Sequence, residues 1–212
     1  MAVMKKLKLL HVGCGPQTKE QTTKVFNNEA WDEIRFDVDS GCNPNVVGSM
    51  IDMHMFEDNT FDAIFSSHNF EHLFFHEAEL ASNEFFRVLR PTGYVFLLCP
   101  DIMSVCEGIL KNGPDSVLYK TASGMPISPI DVIYGHRPSI QNGNEFMAHK
   151  YGYSEKTLTS VFRKSGFANI ATLTRKNHYD IVLIACREEL YNGEDKELNK
   201  ENIKELFTSH LK

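Results

Sequence analysis

The sequence contains no apolar run of membrane-spanning length. Its longest, Tyr94 to Cys99 and Ile181 to Cys186, are strand-sized, far short of the roughly 20 residues needed to cross a bilayer. Paired cysteine motifs are also missing. The five cysteines (Cys14, Cys42, Cys99, Cys106 and Cys186) are odd in number and include no CxxC pair, which argues against a disulfide framework and a thiolate zinc site and points to a reducing cytoplasm. Positive charge is scarce: 22 Lys and Arg stand against 28 Asp and Glu, for a net charge of -6 with no dense basic stripe. A nucleic-acid backbone is therefore not an expected partner, and a small or neutral one fits better. The start, MAVMKKLKLLHVG, lacks the uninterrupted apolar stretch of a secretion signal because Lys8 breaks it and a glycine turn follows. It reads as a first strand.

What is present suits one α/β domain over residues 1–190. Of 212 residues, 42% are hydrophobic, enough for one sizeable core. Strand-like runs at Leu7 to Val12, Glu33 to Val38, Asn45 to Val47, Phe61 to Ser66 and Tyr94 to Cys99 alternate with polar or helical pieces, as in a parallel sheet with crossovers. Ala78, Ala81, Phe85 and Val88 recur at helical spacing before Pro91. Residues 102–150 are rich in Gly, Pro, Ser and Asn and read as a lid or acceptor-pocket insertion without strong periodicity. Ser154 then caps a helix that stops at Gly166. Ala168 to Thr174 and Tyr179 to Cys186 form an antiparallel hairpin. Residues 191–212 read as an amphipathic helix on which Ile203, Leu206, Phe207 and Leu211 align.

The chemistry begins at Gly13-Cys14-Gly15-Pro16. A glycine turn at the carboxyl end of a first strand lets backbone approach a nucleotide-like cofactor. The dinucleotide fingerprint GxGxxG needs a third glycine where Thr18 stands. An adenosine cofactor without a pyrophosphate fits better. Asp37 and Asp39 close the next strand about twenty residues on, where a carboxylate can accept from both ribose hydroxyls. Asp39 can equally serve the turn before Ser40-Gly41.

These segments, read together as LLHVGCGP, RFDVDS, FEDNTFDAIFSSHNFEHL and FFRVLRPTGYVFLLCPD, resemble the class I S-adenosylmethionine-dependent methyltransferases, in particular the small methyltransferase-type-11-like group. The resemblance implies a Rossmann-like, doubly wound seven-stranded sheet of order 3-2-1-4-5-7-6 with the last strand antiparallel. It implies S-adenosyl-L-methionine as cofactor, with Gly13, Cys14 and Gly15 along its methionine and ribose and Asp37 on the ribose hydroxyls. Ser49 and Met50 would flank the adenine, and Ser67 and His68 its reactive end. His11 stands where many members carry an acid and is counted with the cofactor residues. Methyl transfer chiefly requires alignment of the reacting atoms, and a base only if the acceptor must lose a proton. His136, His72 and His149 are the candidate bases, since histidine titrates near neutrality. Tyr134, His136, Arg137 and His149 are expected to face inward from the insertion toward an unidentified, small-molecule acceptor.

Two other readings stand beside this one. His68-Asn69-Phe70-Glu71-His72 matches the H-x-x-E-H pattern of zinc hydrolases and is followed by His76. The departures at His11, Gln17 and Ser49 from the family pattern also suit a cofactor-binding protein without catalysis.

Overall fold

Strands appear where the alternation places them, with ends shifted by a few residues. The computed structural model describes residues 5–121, 124–188 and 208–210. Along the chain lie β1 (Leu7–Val12), β2 (Trp31–Asp37), β3 (Val46–Val47), β4 (Phe61–Ser67), β5 (Leu89–Pro100), β6 (Tyr119–Lys120), β7 (Pro126–Ile127), β8 (Asn169–Arg175) and β9 (Asp180–Cys186). Seven of them form one sheet in the order β3-β2-β1-β4-β5-β9-β8, while β6 and β7 pair separately. The first five are mutually parallel and β9 runs antiparallel to both its neighbours. Counted within this sheet alone, the order is the expected 3-2-1-4-5-7-6.

One face of the sheet carries α1 (Phe75–Val88) and α5 (Glu155–Lys164). Helix α1 forms because Ala78, Ala81, Phe85 and Val88 bring one stripe onto Leu10, Ile64, Val95 and Leu97. It ends at Val88, where Leu89 enters β5 directly. Helix α5 starts at Ser154, whose hydroxyl accepts from the Thr157 N–H. The opposite face buries Leu9, Phe65, Phe96 and Ile184 under Phe26 and Trp31.

Winding departs from expectation in three places. After the glycine turn there is only a three-residue 3-10 turn, Lys19–Gln21, in place of a helix, and Thr18, Thr22 and Thr23 are poor material for one. The second crossover is likewise a 3-10 turn, Ser40–Cys42. The insertion, by contrast, is largely structured: α2 (Ile102–Asn112), α3 (Pro129–Tyr134) and α4 (Arg137–Gln141) lie within it. Helix α2 begins where the Asp101 carboxylate accepts from the Met103 and Ser104 N–H groups. Val105, Ile127 and Val132 give the insertion a small core of its own, although Leu110 and Val117 remain exposed.

Of the expected C-terminal helix, Ile203, Leu206, Phe207 and Leu211 lie outside the described residues. His210 is helical and buried. Its ring stacks on Phe96 at 4.2 Å and its Nδ1 lies 2.7 Å from Thr23 Oγ1. Burial pushes its pKa down to about 4. A histidine that is neutral when folded but titrates near 6.5 when unfolded contributes stability that is complete above that pH and is lost as pH falls through the folded value. His210→Phe should therefore flatten the decline of melting temperature between about pH 6.5 and 4. An unchanged acid limb would count against this docking.

Candidate functional site

At the carboxyl end of β1 the backbone turns left-handed twice, at Gly13 (φ 61°) and Gly15 (φ 52°). A Cβ on Gly13 would lie 2.1 Å from Asn69 Nδ2. That close approach has a purpose: Asn69 Nδ2 donates to the Val12 carbonyl at 2.6 Å while the Ser66 hydroxyl donates to Asn69 Oδ1 at 2.7 Å. Asn69 thus ties the ends of β1 and β4 together. At Gly15 the equivalent space is open.

Asp37, at the end of β2, fixes the other side of the turn. Its Oδ2 accepts from the Gly15 N–H at 2.7 Å and its Oδ1 from the Asp39 N–H at 2.9 Å. Arg35 adds a second clamp by donating to the carbonyls of Gln17, Asn43, Gly15 and Cys42. Between these elements opens a cavity of about 550 Å³. Gly13, Gly15, Asp37, Asp39, Ser49, Met50 and His68 line it, and Val12, Phe36, Val38 and Ile51 supply apolar wall. Asp39 also accepts from the Gly41 N–H, so it serves the turn as well as the cavity.

Three expected cofactor residues lie elsewhere. His11 is 2% exposed, and its Nδ1 sits 2.7 Å from Glu33 Oε1. Strand alternation puts His11 on the face opposite Val12, and it is Val12 that reaches the cavity. Cys14 is buried behind the turn, where burial pushes its thiol up to about 11. Ser67, still in β4, is not in the cavity wall. His68 is, in a left-handed conformation (φ 53°) with its N–H donating to the Leu98 carbonyl.

A second cavity of about 190 Å³ adjoins the first and shares His68 and His72 with it. His136, His72 and His149 all line this smaller space. His72 Nδ1–H donates to the Ala148 carbonyl at 3.0 Å, His149 Nδ1–H donates to the Val132 carbonyl at 2.7 Å, and the two rings meet edge to face at 4.8 Å. Burial, then the neighbouring His72, pushes the His149 pKa down to about 4; burial also lowers that of His72. Both are neutral at neutral pH, with Nε2 bare. His136 is held by Ser139 Oγ at 2.7 Å and Met125 Sδ at 2.8 Å. Tyr134 is 63% exposed, and Arg137 is exposed and paired with Asp131; neither lines the cavity.

The H-x-x-E-H reading fails on backbone. Phe70–His72 is a 3-10 turn and α1 starts only at Phe75, so His68 and His72 share no helix. His76 is exposed and stacks on Phe74. Glu71 is 2% exposed, and burial pushes its carboxyl up to about 8.

Residues 10–97, the span that builds the larger cavity's sheet edge, match the family described as methyltransferase domain. The whole architecture also matches solved structures. One is a protein from Pyrococcus horikoshii OT3 (14% identity, TM-score 0.56, 87% of this chain and 84% of that one). Others are SAM-dependent methyltransferases from Methanosarcina mazei (16%, 0.53, 86% and 93%) and Archaeoglobus fulgidus (15%, 0.54, 85% and 86%). This is a class I S-adenosylmethionine-dependent methyltransferase fold. Comparison with curated proteins found no match. In this methyltransferase fold, no helix among the described residues is long and apolar enough to cross a membrane. Sequence reasoning overlooked Asn69 and Arg35, whose importance comes from bonds across 57 residues and to four separate carbonyls.

Proposed function

We propose that the larger cavity binds S-adenosylmethionine and that its methyl group passes to a small-molecule acceptor held in the smaller one. The observation that carries this reading is the continuity of the two cavities at His68 and His72, beside a glycine turn anchored by Asp37. The residues suit the cofactor. Each Asp37 oxygen accepts one backbone N–H and keeps a further lone pair for a ribose hydroxyl. Gly15 leaves open space, and Phe36, Met50 and Ile51 offer an apolar slot for a purine beside Ser49. When bound, the cofactor supplies an electrophilic methyl group. The chain's task is to orient the acceptor and exclude water.

A small acceptor is favoured because the second cavity is below the usual 300–1,000 Å³ range of ligand pockets. Calorimetry with S-adenosylhomocysteine tests the central claim, and absence of binding at millimolar concentration would sink it. His136→Ala should lower transfer of labelled methyl to a panel of small hydroxyl, amine and thiol acceptors, because His136 lines only the acceptor side. Affinity for S-adenosylhomocysteine should stay within about twofold. Full transfer in that variant would remove His136 from the acceptor site.

A further inference from the structure

We propose that Glu71, His72 and His149 bind a divalent first-row transition-metal ion such as Zn²⁺, with an open coordination position facing the smaller cavity. One ligand atom from each residue falls within 4.8 Å of the others. The set differs from the H-x-x-E-H reading, because its second histidine comes from the insertion and His68 plays no part.

The hydrogen bonds support a metal. In both histidines Nδ1 carries the proton that is donated to a backbone carbonyl, which fixes the tautomer and leaves Nε2 as a lone pair. Metal-ligating histidines are oriented in just this way. Glu71 Oε1 lies 3.8 Å from His149 Nε2, too far for a hydrogen bond. Its Oε2 is buried with no partner among the described residues. Lone pairs from three side chains therefore converge in a dry place with no donor between them. Such an arrangement is costly unless a cation is shared.

The backbone holds the ligands' two segments together. The Glu71 carbonyl accepts from the Lys150 and Tyr151 N–H groups at 2.9 and 3.3 Å, which presses the end of the insertion against the Phe70–His72 turn. An ion with ligand bonds of about 2.0–2.2 Å would draw the three donor atoms inward by roughly 1 Å. Two imidazoles and one carboxylate suit Zn²⁺ and its neighbours better than Ca²⁺ or Mg²⁺. The open side looks toward Tyr119, Asp131 and His136. Resting on the methyltransferase reading, the position would take an oxygen of the acceptor.

Zn²⁺ titration of the full chain by calorimetry is expected to give one tight ion per chain. Glu71→Gln and His149→Ala, each checked for fold by circular dichroism, should weaken binding at least about tenfold. His76→Ala, exposed and remote, should bind as the parent does. Co²⁺ should show d–d bands without a thiolate charge-transfer band, which separates this site from the five cysteines. His149 belongs to the insertion, so its variant reports even if Glu71→Gln fails to fold. No stoichiometric ion in the parent, undiminished binding in His149→Ala, or a thiolate band would each overturn the proposal. S-adenosylhomocysteine binding is measured on the same samples. Its loss with zinc binding retained removes the methyltransferase reading and leaves the metal site; zinc failure with cofactor binding intact removes the metal site alone.

Discussion

Asp37→Ala is expected to weaken S-adenosylhomocysteine binding by about a hundredfold or more. Charge-assisted hydrogen bonds to a carboxylate are worth roughly 1.5–3 kcal/mol each, and about 1.4 kcal/mol is a factor of ten. The variant removes the ribose acceptor and, at the same time, releases the Gly15 and Asp39 N–H groups that hold the cavity's rim. Asp37→Asn should rescue little. Its side chain offers one acceptor oxygen to two backbone donors and turns an NH₂ toward the other. Asp39→Ala should cost about tenfold or less, since its clearest bond is to its own turn. Calorimetry on the three variants ranks them, and a larger loss at Asp39 would show that the wrong carboxylate has been assigned to the ribose.

Gly13→Ala should give the largest loss of stability near the site. The left-handed φ costs about 1–2 kcal/mol for a non-glycine residue. The new Cβ would also collide with the Asn69 amide, breaking its buried bond to Val12 at a further cost of about 1–3 kcal/mol. For a chain of this size the sum corresponds to a melting temperature lower by roughly 5–15 °C. Removing the collision should recover part of that. Added to Asn69→Ala, the Gly13→Ala change should therefore be milder than in the parent, a coupling that a double-mutant cycle measures. Strict additivity would mean that the glycine is needed for φ alone.

These two positions mark how far the residues could be read in advance. Gly13 and Asp37 were legible because a strand, a tight turn and a second strand's final acid have a local signature. The sheet order followed from the resemblance, and the hairpin of β8 and β9 was visible independently in the residues. His11 was misplaced for a simple reason. Alternation says that it opposes Val12, yet nothing in the residues says which face of the sheet meets the ligand. The insertion was underestimated because α2 is short, and its start depends on the Asp101 carboxylate more than on an apolar stripe. Asn69 and Arg35 were unreadable. Their partners are backbone carbonyls, and a carbonyl leaves no mark in a sequence.

Where the insertion joins the sheet has a separate consequence. Asp101 and Tyr153 form a bridge, and the Ile102 N–H donates to the Tyr153 carbonyl at 2.9 Å. The insertion's exit and re-entry points are therefore neighbours, and its internal core of Val105, Ile127 and Val132 is separate from the two that flank the sheet. A segment with adjoining ends and its own packing can be exchanged as a cassette, because a replacement needs only to span the same short gap. Selectivity for the acceptor is then portable, while the strands that build the cofactor's side need not change.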